Sequence, residues 1–485
     1  MHPGDEQLST HLERPLGRGH TPAGAFTGAA GGAACGDLVR VSVALEQRGG
    51  EAVIGDAGFD ASGCGAAIAA GSAAVALLRG TTLLGAALLG ADAIAQELGG
   101  LSAAKLHAAE LAADAMHRAL GAAARACPPS APRPGRTLVA MSGGVDSAVA
   151  ALLVRSEDSE AVAVTLELWS DPEGDGELSC CSTQAVRGAR ALAHELGIPH
   201  FSIDLREEFR AGVVDGWLQA HRDGLTPNPC VACNGYVRLD AMLELAQRLG
   251  ARLLATGHYA RVSEEGLLQV ACDERKDQSY VLSALSADSL ARMRFPLGAM
   301  QKGEVRELAE RAGLGVARRR DSQDLCFLAG TGQERFLLRH GGLGRRPGPI
   351  RDPHGVELGE HPGRHLLTVG QRHGLGVSGP EPLYVLHTDP ATNTVTVGPR
   401  PALLTDELPL RELTLLREGE RVDGVRVRAH GRLHPCRLEG SPSPGDHRDG
   451  LVRFERSIER TAPGQIACLY DGEQVVGHAT VAAPR

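Results

Sequence analysis

The sequence predicts a multidomain α/β chain: a small α+β domain, then a doubly wound parallel sheet, a small central domain and a C-terminal β-barrel. Three observations lead there. At 485 residues the chain exceeds one ordinary domain, so several cores must be buried. From Thr137 to Thr256 strand-like and helix-like segments alternate, the mark of parallel strands joined by crossover helices. From about Leu403 the pattern changes to short alternating strands, which suit a small barrel.

In chain order, residues 1–22 mix Pro, Gly, His and charges without periodicity and read as a disordered tail. Residues 23–126 are Ala/Gly-rich and form the α+β domain, with strands at Leu38–Leu45 and Ala52–Phe59 and helices at Ala66–Leu78 and Lys105–Ala124. Residues 127–136 hold four prolines, which remove donors and restrict their predecessors, and so read as a stiff, exposed linker. Residues 137–332 supply strands at Thr137–Met141, Ala161–Trp169, His200–Asp204 and Arg252–Thr256. Helices near Ala148–Val154, Thr183–Leu196 and Val237–Leu249 separate them, and ligands of such a sheet bind at the carboxyl ends of its strands. Gly/Pro-rich loops mark a central domain at 333–402, and strands such as Val425–Ala429, Leu451–Phe454 and Gln465–Tyr470 build the barrel of 403–485.

A net charge of −9 argues against a protein that wraps nucleic acid with a basic surface, so any RNA contact is local. Arg318 to Arg320, Arg345, Arg346, Arg428 and Arg432 are the candidate basic contacts. Eleven Cys behind a polar, Pro/Gly-rich N-terminus point to reduced thiols in a cytoplasmic protein rather than a disulfide scaffold. The most apolar run, Gly65 to Leu78, is too short to cross a bilayer, and no membrane is implied.

The most informative stretch is Ser142-Gly143-Gly144-Val145-Asp146-Ser147, between an apolar strand and a helix. Small residues there expose unpaired N–H groups and the positive helix end to an anion. The Lys of a Walker loop is absent, which leaves a P-loop NTPase unsupported. The pattern resembles the PP-loop, SGGxDS, of ATP pyrophosphatases, which adenylate an oxygen and release pyrophosphate.

Thr226-Pro227-Asn228-Pro229-Cys230-Val231-Ala232-Cys233-Asn234 places two thiols three residues apart where a loop enters a helix. Zinc, a redox pair and incidental spacing all remain open for such a C-x-x-C pair alone. A third thiol, Cys326, follows the basic run Arg318 to Arg320, where thiolate is favoured; vicinal Cys180 and Cys181 are second-rank candidates.

Taken together, residues 137–485 resemble the MnmA-type tRNA-specific 2-thiouridylases. The PP-loop, TPNPxxxCN, ATGHY (Ala255 to Tyr259), KDQSY (Lys276 to Tyr280), DSQxLCF, TVGQRHGLG (Thr368 to Gly376) and PGQ (Pro463 to Gln465) occur in family order. The resemblance implies an adenine nucleotide alpha hydrolase-like sheet that uses ATP and Mg²⁺. Ala140, Met141, Ser142, Gly143, Gly144, Val145, Asp146 and Ser147 would bind the phosphates, while Leu166 and Gly257 would line the adenine and ribose pocket. Asn228, Pro229 and Cys230 would lie beside the target base. Lys276, Asp277, Gln278, His258 and Gln465 would contact tRNA. Cys233 resembles the nucleophile and Cys326 the persulfide carrier, the two forming a disulfide that a reductant resets. Many members carry Asp at the position of Cys230, so Cys230, Cys233 and Cys326 can instead hold a [4Fe-4S] cluster that carries the sulfur. The runner-up readings are a PP-loop amide-forming synthetase and a non-catalytic iron-sulfur scaffold.

Residues 23–126 resemble the IscU/NifU iron-sulfur scaffold family through Ala34-Cys35-Gly36-Asp37, Asp60 to Ala69 and Lys105-Leu106-His107. Where that family has a third Cys, this chain has Ala108. Cys35, Asp37, Cys64 and His107 still make an acceptable zinc or iron set, and the fusion implies sulfur or iron-sulfur delivery from a cysteine desulfurase or sulfur-relay protein.

Overall fold

The computed structural model describes residues 3–31, 36–157, 159–170, 182–319, 325–328 and 330–483. Cys35, Cys180, Cys181 and Arg320 lie outside the described residues. The N-terminal unit pairs β1 (Phe26–Gly31), β2 (Leu38–Arg48) and β3 (Glu51–Ser62) as an antiparallel meander. Helices Gly65–Leu78 and Leu106–Ala126 pack on it, and their Ala-rich faces allow close approach to the sheet. The tail expected to be disordered instead forms a helix, Pro3–Glu13. Tertiary contacts hold it: Leu8 packs on the core, His11 Nδ1 meets Ser72 Oγ at 2.8 Å, and Leu16 N donates to the same hydroxyl at 2.8 Å.

The second unit is a five-stranded parallel sheet of β4 (Arg136–Ala140), β5 (Glu160–Glu167), β6 (His200–Asp204), β7 (Leu253–Ala255) and, beyond the short hairpin β8 (Arg261–Val262) and β9 (Leu268–Gln269), β10 (Met293–Arg294). Its order is β10-β7-β4-β5-β6. Along β4, Leu138 and Val139 enter cores on opposite faces, as expected for strands covered on both sides. Helices Val145–Ser156, Thr183–Glu195 and Lys302–Arg311 cover one face. On the other lie Leu239–Arg248 and, at the edge strand β6, the long helix Leu106–Ala126 of the N-terminal unit. That docking is intimate: a Cβ on Gly121 would stand 1.9 Å from the carbonyl oxygen of Ser202, so only glycine fits. Buried Asp114 receives Arg187 and Arg190, each at 2.6 Å, and His200 N donates to Ala87 O at 3.0 Å.

The central unit orders β11 (Gly348–Arg351), β12 (Glu357–His361), β13 (Leu383–Asp389) and β14 (Thr394–Pro399) as β12-β11-β14-β13. Gly374 to Gly379, which matches G-x-G-x-x-G, is a loop there with no helix following. The barrel comprises β15 (Leu404–Leu415), β16 (Gly424–Arg426), β17 (His434–Leu438), β18 (Gly445–Glu459), β19 (Ile466–Asp471) and β20 (Gln474–Val481). It closes because β15 pairs with both β18 and β20, and the β8–β9 hairpin of the parallel-sheet unit adds to β20.

Candidate functional site

The PP-loop residues meet at the carboxyl end of β4. Gly143 is left-handed (φ +73°), which bends the chain away from the strand, and Gly144 caps the helix that starts at Val145. Ser147 Oγ accepts from Ser142 N at 3.1 Å and donates to Gly144 O at 3.0 Å, so the loop holds its own shape. Met141 N donates to Val164 O at 2.8 Å, which ties the loop to β5, whose Leu166 is buried nearby. Gly257 of ATGHY closes the site: a Cβ there would stand 2.8 Å from Asp146 C and Ser147 N.

Asp146 is the one acidic side chain on this loop. Tyr259 O–H donates to its Oδ1 at 2.8 Å, and Lys302 Nζ donates to Oδ1 at 2.6 Å and Oδ2 at 2.8 Å. Arg319 Nη1 also reaches Gly143 O at 3.0 Å. Neither Lys302 nor Arg319 was expected at the nucleotide loop. A signal existed for Lys302, since the chain has only three lysines among its fifty Lys and Arg.

The thiol loop is built by the barrel. Thr226 N donates to Pro463 O at 2.8 Å and Gln465 Nε2 donates to Thr226 O, so the PGQ turn clamps the segment entering TPNPC. Gly464, at φ +92°, allows that contact, because a Cβ would lie 3.0 Å from Leu225 Cβ. Asn228 caps the helix Pro229–Ala232 by accepting from Cys230 N at 3.0 Å. The helix then widens into a π-turn, Cys233–Arg238, a form common at functional sites. Cys233 is buried and Cys230 half-buried; burial pushes the Cys230 thiol up, against the pull of Arg238.

Cys326 is half-buried, and Phe327 beside it anchors its segment in an aromatic cluster. The ring of Phe327 lies 6.5 Å from Trp169, 5.4 Å from Trp217 and 5.1 Å from Phe336. Cys230, Cys233 and Cys326 do not gather within the reach of one ion, so they form no single-ion site.

Several residues expected at tRNA face inward. Asp277 is only 3% exposed. It accepts from Ala271 N at 2.9 Å and Ser279 Oγ at 2.7 Å, and it pairs with Arg426 of the barrel. It is therefore a strut between two domains. Gln278 Oε1 accepts from Tyr259 N at 2.9 Å and so braces ATGHY. His258 sits against Phe295 and Thr256, and burial, with Arg238, pushes its imidazole down to about 3. Lys276 is half-buried, whereas Arg428 and Arg432 line an open groove of about 1040 Å³ on the barrel with Arg400 and Arg456.

In the N-terminal unit, Asp37, Cys64 and His107 place one ligand atom each within 4.8 Å of one another, the only such group among the described residues. Cys64 Sγ lies 3.1 Å and His107 Nε2 3.3 Å from Asp37 Oδ2. Hydrogen bonds from the Cys64 amide and thiol, with His107, hold the Asp37 carboxyl low despite its burial. A thiolate, a carboxylate and an imidazole fit zinc or iron.

A glycine-rich strand-to-helix loop at the carboxyl end of a parallel sheet defines a PP-loop nucleotide-binding protein. The family models agree with each unit. Residues 5–125 match the NifU-like N terminal domain and residues 135–330 the tRNA methyl transferase HUP domain. Residues 334–399 match the tRNA methyl transferase PRC-barrel domain and residues 414–481 the aminomethyltransferase beta-barrel domain. The chain is 42% identical to the bifunctional protein NifU/MnmA of Rubrobacter xylanophilus over 97% of both chains. It is 43% identical to the tRNA-specific 2-thiouridylase MnmA of Chloroflexus aurantiacus, over 72% of this chain and 98% of that one. With the corresponding protein of Geobacter metallireducens it shares 40% over 70% and 95%. The chain belongs to the MnmA family of tRNA-specific 2-thiouridylases, in the form that carries a NifU-like domain at its N-terminus. No helix among the described residues is long and apolar enough to cross a membrane.

Proposed function

We propose that the chain is an ATP-dependent tRNA uridine 2-sulfurtransferase of the cytoplasm, which turns the wobble uridine (U34) into 2-thiouridine. The observation that carries this reading is a formed PP-loop in the same domain as a barrel-clamped Cys-x-x-Cys loop. An amide-forming synthetase has no use for that thiol pair.

The C2 carbonyl of uridine has a poor leaving group, so its oxygen first attacks the α-phosphorus of ATP and pyrophosphate departs with the bonding electrons. The amides of Gly143 to Ser147 receive the phosphate charge, and Asp146 offers the carboxylate a Mg²⁺ would need alongside phosphate oxygens. The terminal sulfur of a Cys326 persulfide then attacks C2, and the C2–O bond breaks to release AMP. Cys233 thiolate attacks the Cys326 sulfur; the carrier S–S bond breaks, its electrons leave on the thiouridine sulfur, and a Cys233–Cys326 disulfide forms. A dithiol reductant restores both thiols.

Asn228 and Pro229 shape the loop beside the base, while Gln465 supports tRNA binding through its hold on Thr226. The Asp37, Cys64 and His107 set would hold zinc or iron in a domain that receives sulfur from a cysteine desulfurase or sulfur-relay protein. A second reading has Cys230, Cys233 and Cys326 ligate an iron-sulfur cluster, favoured by the half-buried Cys230 thiol, which the two-thiol cycle leaves unused. Such a cluster would supply a metal-held sulfide. Iron and acid-labile sulfide analysis of anaerobic protein lacking residues 1–136, with and without Cys230→Ala, separates the routes. An iron signal that Cys230→Ala abolishes supports the cluster; thiolation by iron-free protein supports the persulfide.

A further inference from the structure

We propose that Lys302 is a substrate-binding cation of the nucleotide site, which takes the β- and γ-phosphates of ATP and holds the departing pyrophosphate. The inference rests on the adenylation reading above and adds a residue to it.

The PP-loop poses an electrostatic problem. Its amides and helix end favour an anion, yet its single acidic side chain, Asp146, opposes one. The cation that a Walker loop carries within its own motif is missing. The fold brings one from 156 residues away, because Lys302 Nζ sits on both oxygens of Asp146 at 2.6 and 2.8 Å.

The placement is built from both ends. Lys302 is the first residue of the helix Lys302–Arg311, whose start is fixed by a reciprocal Gln301–Glu304 capping box. Its own amide donates to Asp273 Oδ2 at 3.0 Å. The side chain is 12% exposed and runs past Tyr259, with Nζ 5.8 Å from the ring centroid. Asp146 is 31% exposed, so the pair stands at the mouth of the loop and not in the core. A part-buried ion pair is weak evidence for stability, whereas an ammonium at an anion cradle has a chemical use. In a chain that otherwise takes Arg almost everywhere, a compact, rotatable ammonium suits a polyphosphate that must enter and leave.

As the uridine oxygen bonds to the α-phosphorus, the bond to the bridging oxygen breaks and its electrons pass to pyrophosphate. Lys302 moves from Asp146 to that growing charge, which leaves the Asp146 carboxylate to the Mg²⁺ it would hold.

The test uses the full chain with inorganic pyrophosphate and AMP as probes. In Lys302→Met the expected result is pyrophosphate affinity at least tenfold weaker, AMP affinity unchanged and tRNA-dependent pyrophosphate release about 10²–10³-fold slower. Lys302→Arg restores part of the pyrophosphate affinity. A purely structural lysine would lower the melting temperature and leave the two affinities in their wild-type ratio, which overturns the proposal. Should Lys302→Met fail to fold, acetylation mapping of the wild type decides: pyrophosphate must shield Lys302 and not Lys105. Equal labelling with and without pyrophosphate overturns it. Wild type that releases no pyrophosphate with tRNA would instead sink the adenylation reading itself.

Discussion

Gly257→Ala probes the nucleotide site with a single added methyl. Its Cβ would meet Asp146 C and Ser147 N at 2.8 Å, where carbon contacts are comfortable at about 3.5–4.0 Å. Both neighbours are backbone atoms, so no side-chain rotation relieves the clash and the PP-loop must shift by roughly 0.7 Å or more. Overpacking of this kind costs about 1–3 kcal/mol. Borne by the loop, that cost weakens ATP binding by about 5- to 150-fold, since about 1.4 kcal/mol is tenfold. Gly188→Ala is the control, because a Cβ there meets nothing within 4 Å. Equilibrium dialysis with labelled ATP, beside a thermal melt, reads the effect. Wild-type ATP affinity in folded Gly257→Ala would refute the close approach of ATGHY to the loop.

Other predictions concern the N-terminal unit. Asp114→Ala leaves the buried Arg190 guanidinium without its carboxylate, while Arg187 keeps Glu110 at 3.0 Å, and loss of one partner of a buried pair costs about 3–5 kcal/mol. Calorimetry should show the docked unit melting earlier than in the wild type. Burial, with Arg190 close by, holds His117 and His200 well below the usual histidine range, and burial lowers His194. Unfolded histidines take up protons near pH 6.5 while these three resist, so the contribution is intact above that pH and is lost as pH falls. Unfolding free energy should therefore drop between pH 7 and pH 5, and a flat profile would contradict the buried neutral cluster. Cys64→Ser should lower zinc or iron retained per chain, as read by plasma mass spectrometry, while pyrophosphate release is unchanged.

Local chemistry was legible in the sequence. Gly143, Gly144 and Ser147 declare a strand-loop-helix turn within six residues, and the structure forms it. Tertiary placement was not. Asp277 sits in a polar, surface-like motif, yet its partner Arg426 lies 149 residues away in the barrel, so nothing local marks it as buried. Lys302 reaches Asp146 across 156 residues, and the capping box that fixes it reads as an ordinary helix start. The helix Pro3–Glu13 lacks a clean apolar stripe and is held by Ser72, which short-range patterns cannot register. The linker reads as exposed and is so from Pro128 to Gly135, apart from half-buried Ser130, yet it is tied down in a way no local pattern shows: Cys127 at its start is buried, and Ser130 N and Arg133 N donate to Arg248 O at 3.1 Å and Gly250 O at 2.9 Å.

The proposed reaction exchanges one uridine oxygen of tRNA for sulfur at the expense of one ATP. The direct measurement is mass spectrometry of nucleosides from wobble-uridine tRNA incubated with the full chain, ATP, Mg²⁺ and a persulfide donor, with AMP and pyrophosphate counted in the same reaction. One 2-thiouridine, one AMP and one pyrophosphate are expected per turnover, with all product lost in Cys326→Ser and pyrophosphate release still present in Cys233→Ser. ATP consumption with no thiolated nucleoside, or thiolation that survives loss of Cys326, would contradict that reaction.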